Sequence, residues 1–287
     1  MGMYDPRVWK EGYIDVGRVP THYLEAGEGE TLVLVHGGLV WCCAELTYGA
    51  VIEPLSRNMH VVAVDAVGYG LTVGGGSGDG RPSKQGDFLI RFLRTLGISA
   101  HLAGNSHGGW LVQYVAHEAP DLVKRLVIIN SLNGTSPIPS DFSLPLVPDE
   151  CPTEEDVERE LLGFYYNKRL VTAERVKKTH EYTVRNYEFA RGRLGDIGRT
   201  PEAWNQHLTY RGRHISECAG ELGMPVLLTW SRENRGASPA DALVFFNRLA
   251  DANMHVFAGA GHHVMTEHPE RWSSIVSEFL LSGRQVG

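Results

Sequence analysis

The stretch Gly104-Asn105-Ser106-His107-Gly108 decides the fold of this chain. It follows a short apolar run, residues 100–103, and precedes a helix-like run, residues 109–116. Gly-x-Ser-x-Gly between a strand and a helix predicts a sharp turn, in which the glycines leave room for a close approach of the chain and the serine is conformationally strained. The pattern therefore predicts that the hydroxyl group of Ser106 stands above the edge of a sheet, where it can act as a nucleophile.

A serine hydroxyl needs a general base, and the base needs a group that orients it. Near the C-terminus, residues 254–258 read as a strand, and the Gly-rich loop Gly259-Ala260-Gly261-His262-His263 follows. This order, with the histidine after the serine and just beyond a strand end, predicts His262 as the base. His263 is the alternative base.

The orienting acid departs from the expected pattern. After the strand-like run 226–230, the position that should hold Asp holds Asn234, preceded by Glu233 as a substitute acid. An amide can hold an imidazole but cannot stabilise the imidazolium ion, and the same change in a chymotrypsin-type enzyme lowers turnover about 10⁴-fold. The preceding strand ends in Asn130 and offers no carboxylate. Four hypotheses remain: a non-standard acid, a Ser–His dyad acting on an activated substrate, a site without hydrolytic activity, or an engineered substitution at this position.

A candidate oxyanion hole follows the apolar run 32–35, in the motif His36-Gly37-Gly38-Leu39. The backbone N–H groups of Gly38 and His107 are predicted to converge on the negative oxygen that forms during acyl transfer. Each such donor contributes about 2.7–4 kcal/mol of transition-state stabilisation. Gly37 and Leu39 are predicted to border the substrate.

These motifs resemble those of the α/β-hydrolase superfamily over nearly the whole chain, and within it they most resemble the meta-cleavage-product hydrolases. The resemblance implies a mostly parallel central sheet flanked by helices, with an inserted helical cap. It also implies cleavage of a carbon–carbon bond in a vinylogous diketo acid from aromatic degradation. The matching pieces are Tyr23-Leu24-Glu25-Ala26-Gly27, His36-Gly37-Gly38, Asp65-Ala66-Val67-Gly68-Tyr69-Gly70, Gly104-Asn105-Ser106-His107-Gly108-Gly109 and Gly261-His262.

The same resemblance implies substrate contacts. Asn105 stands directly before the nucleophile, as in that family, close to the oxygen atoms of the substrate. Arg185 is similar to the arginine of the family's cap that holds the substrate carboxylate, a task that suits a bidentate guanidinium group. His263 occupies the position of an aromatic residue, usually Trp, and is predicted to contact the substrate as well.

Other functions remain open because the chain departs from that family at His263, at Asn234 and in residues 39–43. An ester or lactone hydrolase is the nearest alternative. The run Ser106-His107-Gly108-Gly109-Trp110 also resembles cofactor-free ring-cleaving dioxygenases of the same fold, in which a histidine deprotonates the substrate. A non-catalytic receptor for a small ligand is the fourth hypothesis, and Asn234 is the best argument for it.

Composition favours a cytoplasmic enzyme that acts on a small molecule. The 287 residues are 43% apolar and can bury a substantial core. A net charge of −7 without a basic cluster argues against nucleic acid, and no apolar run is long enough to span a membrane. The N-terminus lacks the features of a signal peptide, and the 4 cysteines show no metal-binding spacing, which favours reduced thiols. We expect no cofactor and no metal. The resemblance to meta-cleavage-product hydrolases also implies a possible homodimer.

The order of apolar runs predicts one domain with an insertion. An opening hairpin near 13–25 and short apolar runs rich in Val, Leu and Ile are typical of strands buried on both faces. We expect a core from residues 1–134 and 218–287 and a cap from 135–217. The expected strands are 32–35, 61–64, 100–103, 126–129, 226–230 and 254–258. A loop is expected at 71–82, and a Pro-rich stretch at 136–148 is the expected hinge into the cap. Cap helices are expected near 153–167, 172–191 and 201–217.

Overall fold

The computed structural model describes residues 3–72, 74, 82–131, 149–197, 217–236 and 238–282. These residues form one eight-stranded sheet in the spatial order β1-β2-β4-β3-β5-β6-β7-β8. Strand β2 runs antiparallel to both of its neighbours, and every pairing from β4 to β8 is parallel. The strands are β1 (Lys10–Val16), β2 (Val19–Ala26), β3 (Thr31–Val35), β4 (His60–Val64), β5 (Ala100–Asn105), β6 (Val123–Ile129), β7 (Val226–Ser231) and β8 (Ala252–Phe257).

Helices connect the strands and cover both faces of the sheet. Four short 3₁₀ turns, at Pro6–Val8, Pro120–Leu122, Lys168–Leu170 and Ala219–Glu221, complete the regular structure of the described residues. The α-helices are α1 (Ala44–Ser56), α2 (Pro82–Leu96), α3 (His107–Glu118), α4 (Glu154–Phe164), α5 (Ala173–Ile197), α6 (Pro239–Phe246), α7 (Val264–Glu267) and α8 (Pro269–Leu281).

Two hydrophobic cores lie on opposite faces of the sheet because side chains alternate along a strand. In β3, Val33 and Val35 join the core beneath α2 and α3, whereas Leu32 and Leu34 join the core beneath α1 and α8. All four side chains are at most 1% exposed. A continuous apolar run therefore marks a strand covered on both faces, and the prediction of an α/β fold with a mostly parallel sheet is confirmed.

The structure confirms each strand and the opening hairpin expected from the sequence. Cap helices predicted near 153–167 and 172–191 correspond to α4 and α5. The third cap helix, the Pro-rich hinge and most of the loop at 71–82 lie outside the described residues, so the domain boundaries stay predictions. Within the described part of the chain, no helix is both long enough and apolar enough to cross a membrane.

Candidate active site

The turn at Ser106 joins β5 to α3, as the sequence predicts. Ser106 has φ 55° and ψ −117°, and a positive φ is rare in a residue other than glycine. Its N–H donates to the carbonyl oxygen of Ile129 (2.9 Å), and its own carbonyl accepts from the hydroxyl of Ser131 (2.7 Å). Strain of this kind costs about 1–3 kcal/mol and persists only where the surroundings impose it. It therefore makes Ser106 a candidate functional residue.

The two glycines of the motif are required by close contacts of the backbone. A Cβ atom at Gly104 would lie 2.2 Å from the carbonyl oxygen of Gly108, and one at Gly108 would lie 2.1 Å from the carbonyl oxygen of Val35. Backbone atoms cannot move aside as a flexible side chain can. Only glycine at both positions lets α3 begin directly above the end of β3.

Replacing Gly108 by Ala is expected to lower the free energy of unfolding by about 3 kcal/mol, because the new methyl group overlaps backbone atoms. Gly163 is the matched control: it lies on α4 and a Cβ there would meet no atom within 4 Å. Gly163→Ala is expected to raise the stability by about 0.5–1 kcal/mol through helix propensity alone. Urea unfolding measures both values, and equal effects in the two variants would contradict the account of the turn.

His262 lies in the loop between β8 and α7, and this loop contacts the turn at Ser106 through Asn105. The side-chain amide of Asn105, the residue before Ser106, donates to the carbonyl oxygen of His262 at 3.4 Å. Nδ1 of the imidazole faces Oδ1 of Asn234 at 3.1 Å. The partner of the predicted base is thus the residue to which the spacing pointed, and it is an amide.

The amide of Asn234 has a defined orientation. Its Oδ1 also accepts from the backbone N–H of Gly236 at 3.3 Å. Because a backbone N–H can only donate, the oxygen must face this group and His262, so Nδ1 of the imidazole carries the hydrogen. The Nδ2 group of Asn234 is buried and has no hydrogen-bond partner among the described atoms. An unpaired buried donor costs about 1–3 kcal/mol.

Burial decides the charge of His262. It lowers the pKa of the imidazole to about 4, because the imidazolium ion is poorly solvated there. Asn234 carries no charge that could offset this effect. The ring is therefore neutral at physiological pH, with Nδ1 protonated and the lone pair on Nε2. This is the form that a general base requires.

Glu233, predicted from the sequence as a substitute acid, does not take that role in the structure. Its Oε2 accepts from the backbone N–H groups of Gly259 (2.8 Å) and Ala260 (3.2 Å), and its Oε1 pairs with Arg232. These contacts lower the pKa of the carboxyl group, whereas burial acts in the opposite direction. Glu233 therefore stabilises the loop that carries His262, and Asn234 is the residue that contacts the imidazole.

Asn130 also supports this loop. Its side-chain amide donates to the hydroxyl of Ser231 (2.9 Å) and to the carbonyl oxygen of His262 (3.0 Å), and its Oδ1 accepts from the N–H of Ser231 (2.8 Å). A carboxylate in its place would face a carbonyl oxygen without a hydrogen to donate. The absence of an acid at the end of β6 therefore has a structural reason.

The loop after β3 is held by a neutral histidine. Nε2 of His36 accepts from the N–H of Ala66 (3.0 Å), so Nδ1 carries the hydrogen and donates to the carbonyl oxygen of Gly37 (2.7 Å). Burial lowers the pKa of His36 and keeps it neutral. The hydroxyl of Tyr69 donates to the carbonyl oxygen of Gly38 (3.1 Å). Because peptide groups are planar, holding the Gly37 carbonyl also fixes the direction of the Gly38 N–H.

This loop packs directly against Ser106. A Cβ atom at Gly37 would lie 3.5 Å from Cβ of Ser106. The N–H of His107 belongs to the first turn of α3. The imidazole of the same residue contacts Oε1 of Gln85 at 2.5 Å. Leu39 is partly buried, and its carbonyl oxygen accepts from Cys42.

Asn105 is fully buried and links the elements around Ser106. Its amide group donates to the carbonyl oxygens of Ile129 (3.3 Å) and His262 (3.4 Å). Its Oδ1 is buried without a hydrogen-bond partner among the described atoms. These contacts connect the turn at Ser106 to the loop of the base, and a direct contact between Asn105 and the substrate stays a prediction.

The end of α4 is attached to the loop that carries the base. The N–H of His262 donates to the carbonyl oxygen of Phe164 (2.9 Å), and the two side-chain rings have centroids 5.3 Å apart. Glu267 joins the same elements, since it accepts from the N–H groups of Gly261 (2.6 Å) and Asn167 (2.7 Å). Sequence reasoning missed Glu267, and its position five residues after the base carries no recognisable signal.

His263 is buried behind the loop, in a cluster of aromatic rings. It is 1% exposed, and its ring centroid lies 5.4 Å from that of Trp41 and 5.6 Å from that of Tyr165. Neither ring nitrogen has a hydrogen-bond partner among the described atoms. Burial keeps its pKa well below the ordinary value, so the ring is neutral. Contact between His263 and the substrate stays a prediction.

Arg185, which the resemblance assigns to the substrate carboxylate, points to the solvent in the structure described, and its contact with a substrate stays a prediction. Its side chain is exposed on α5, whereas the next residue, Asn186, is 3% exposed and donates to the carbonyl oxygen of Val40 (2.7 Å). Consecutive helical residues point about 100° apart. The side chain of Arg185 therefore faces the solvent, whereas that of Asn186 faces the loop after β3.

One group of metal-ligand side chains occurs among the described residues. The ligand atoms of His117, Cys218 and Glu221 lie within 4.8 Å of one another. His117 belongs to the last turn of α3, about 16.5 Å along the helix from Ser106 at 1.5 Å per residue. The group is therefore separate from the candidate active site.

Comparison with known proteins agrees with this geometry. The chain is 27% identical over 271 residues to 2-hydroxy-6-oxononadienedioate/2-hydroxy-6-oxononatrienedioate hydrolase of Comamonas testosteroni, with 91% of each chain covered. It is 26% identical over 267 residues to 2-hydroxy-6-oxo-6-phenylhexa-2,4-dienoate hydrolase of the same organism, with 90% of each covered. The resemblance to meta-cleavage-product hydrolases is confirmed.

A solved structure of a meta-cleavage product hydrolase from Pseudomonas fluorescens IP01 has the same fold. The TM-score is 0.78 at 24% sequence identity, over 94% of this chain and 97% of the other. The model of the alpha/beta hydrolase family matches residues 32–274, which include the turn at Ser106, the loop after β3 and His262. The chain belongs to the alpha/beta hydrolase family.

Proposed function

We propose that this enzyme hydrolyses a carbon–carbon bond in a vinylogous diketo acid, a small conjugated product of aromatic degradation. The observation that carries the proposal is the strained turn at Ser106, beside a neutral His262 and the loop at Gly37 and Gly38. Similarity to hydrolases of 2-hydroxy-6-oxo-dienoates over about nine-tenths of the chain supports this substrate class. Location in the cytoplasm and assembly into a homodimer stay predictions from the sequence.

In the proposed reaction, water is added across the bond between the keto carbon and its neighbour. Ser106 supplies the nucleophilic oxygen, either directly or through a water molecule that it orients. His262 accepts the proton at Nε2, and the backbone N–H groups of Gly38 and His107 stabilise the oxyanion. The carbon–carbon bond then breaks, and the leaving carbon takes up a proton from His262. Where Ser106 attacks directly, this leaves an acyl-enzyme ester, which a water molecule deprotonated by His262 hydrolyses to the carboxylic acid and free Ser106. Where Ser106 orients a water molecule, the carboxylic acid forms as the bond breaks.

The conjugation of such a substrate explains how a site with Asn234 can work. An imidazolium ion forms without a carboxylate beside it, which makes proton uptake by His262 less favourable. A dienol leaving group spreads its negative charge over several atoms, so expelling it demands less from the enzyme than expelling an amine from an amide. The geometry therefore suits an activated ketone better than a peptide bond.

The test is a spectrophotometric assay with 2-hydroxy-6-oxo-6-phenylhexa-2,4-dienoate, with Ser106→Ala as the matched control. We expect the wild-type enzyme to bleach the absorbance of the dienoate and to release benzoate in equal amount. An electrode should record no uptake of oxygen during the reaction. Bleaching at the same rate in the Ser106→Ala variant, or none in the wild type, would contradict the proposal.

A non-catalytic ligand receptor is the second candidate, and Asn234 is the observation that favours it. An amide in place of the expected carboxylate leaves His262 a weak proton acceptor. A receptor would bind the dienoate without bleaching it. An ester or lactone hydrolase would instead cleave p-nitrophenyl acetate or a lactone, and an oxygenase would consume oxygen, so the same set of assays separates these alternatives.

A further inference from the structure

Glu160 lies on the lid helix α4, one turn from the catalytic loop. The last residue of α4, Phe164, is fixed there by the hydrogen bond from the N–H of His262 and by its ring contact. Residues four apart lie on the same face of a helix, and one turn is about 5.4 Å long. Val157 and Leu161 share this face and are 1% exposed. Glu160 is thus a partly buried acidic residue beside an apolar stripe that faces inward.

Trp41 orients this carboxyl group. Its indole Nε1 donates to Oε2 of Glu160 at 3.1 Å. Trp41 follows Gly38 by three residues, is 1% exposed, and packs against the rings of Phe164 (6.4 Å) and His263 (5.4 Å). The buried ring of Trp41 therefore connects Glu160 on the lid helix to the predicted oxyanion loop. Such support is typical of a side chain that contacts a ligand.

No charged group in the described surroundings compensates Glu160. Arg175 is held by the carbonyl oxygen of Leu170 (2.9 Å) and the hydroxyl of Tyr165 (3.2 Å), and His180 faces Glu154 at 4.0 Å. The two histidines of the catalytic loop are neutral because burial lowers their pKa. Burial likewise raises the pKa of Glu160 to about 7, and the hydrogen bond from Trp41 only partly opposes this shift.

We propose that Glu160, presented by α4 and oriented by Trp41, is a substrate-binding residue that donates a hydrogen bond to an oxygen atom of the bound substrate. The carboxyl group already accepts from Trp41, so its O–H is the group that it can offer to a ligand. The chemical class that fits is a substrate with an acceptor oxygen, such as the carboxylate or keto group of a diketo acid. This inference rests on the proposed function and adds a specificity contact to it.

The experiment measures binding in the absence of turnover. The Ser106→Ala enzyme is titrated with 2-hydroxy-6-oxo-6-phenylhexa-2,4-dienoate, followed by its own absorbance, between pH 5.5 and 8.5. Three further variants are made in the same background: Glu160→Ala, Glu160→Gln and Glu158→Gln. Glu158 is exposed on the same helix and controls for a general effect of removing a negative charge from α4.

We expect Glu160→Ala to weaken binding about three- to tenfold at pH 6, the effect of one lost hydrogen bond. Glu160→Gln, which keeps an N–H donor, should largely restore the affinity. With Glu160 present, the affinity should fall as the pH rises through 7, because deprotonation removes the donor. With Gln this part of the pH dependence should vanish, and Glu158→Gln should match its parent.

Two failures can be told apart. Unchanged affinity and an unchanged pH profile in Glu160→Ala, with clear binding by the parent, would overturn the role of Glu160 and leave the proposed function intact. No binding by the Ser106→Ala parent, together with no turnover by the wild type, would overturn the substrate class and this inference with it. A loss that Gln fails to restore would also overturn the inference, because it would indicate packing rather than hydrogen bonding.

Discussion

Asn234→Asp is expected to raise kcat for hydrolysis by about 10²–10⁴-fold. The carboxylate would accept the hydrogen of Nδ1 and stabilise the imidazolium ion that forms when His262 takes up a proton. Two donors already point at Oδ1 of Asn234, and the partnerless Nδ2 group would be removed. Steady-state turnover of the dienoate measures the gain. Equal unfolding temperatures of the wild type and the variant control for a rearrangement of the loop.

The same substitution should shift the pH profile. Burial holds the pKa of His262 to about 4 in the wild type, and a base is active only above its pKa. We therefore expect kcat/KM of the wild type to stay level from pH 8 down to about 5 and to fall only below that. A negative charge beside the ring favours its protonated form. The acid limb of the Asn234→Asp variant should therefore move to higher pH.

Asn130→Asp is the matched control, since it makes the same chemical change at the end of the neighbouring strand. A carboxylate there would face the carbonyl oxygen of His262, where the native amide donates. We expect this variant to lose stability and to gain no activity. If Asn234→Asp gains nothing either, or its pH profile stays in place, Asn234 is not the group that orients the base.

Ser106→Ala and His262→Ala are each expected to lower kcat by at least about 10³-fold. The serine and its base act as one unit, so the double variant should lose little more than either single variant. Turnover of the dienoate by the four enzymes in one buffer measures this. Losses that multiply in the double variant would show that the two residues act independently.

Ser131→Ala serves as the control for these losses. Its hydroxyl supports the turn by donating to the carbonyl oxygen of Ser106, but it is not placed to attack a substrate. One neutral hydrogen bond contributes about 0.5–1.5 kcal/mol. We therefore expect a lower unfolding temperature and no more than about a tenfold loss of kcat. A loss of kcat in Ser131→Ala as large as that in Ser106→Ala would contradict the view that Ser131 only supports the turn while Ser106 takes part in the reaction.

The fold could be predicted from the sequence because its strands are buried on both faces. Runs such as Leu32–Val35 are continuous and apolar, and the two cores that they fill explain why every residue of the run must be apolar. The Gly-x-Ser-x-Gly turn was equally readable, since the backbone contacts at Gly104 and Gly108 exclude any side chain. Local constraints of this kind leave a direct trace in the sequence.

The roles of residues on α4 and α5 were harder to predict because they depend on the rotational position of each side chain around its helix and on partners far away in the sequence. Arg185 and Asn186 are adjacent, and only the orientation of α5 decides that Asn186 turns inward. Glu160 did leave a trace, as an acid beside the apolar stripe of α4. Its partner, Trp41, is 119 residues away, so no local pattern connects the two.

The most direct test of the central claim is the intact mass of the enzyme after incubation with a fluorophosphonate probe. The claim is that Ser106 is an activated nucleophile although its base is paired with Asn234. We predict a single adduct in the wild type, none in Ser106→Ala, and faster labelling in Asn234→Asp. Absence of an adduct in the wild type, or an adduct that persists in Ser106→Ala, would contradict the assignment of Ser106 as the nucleophile.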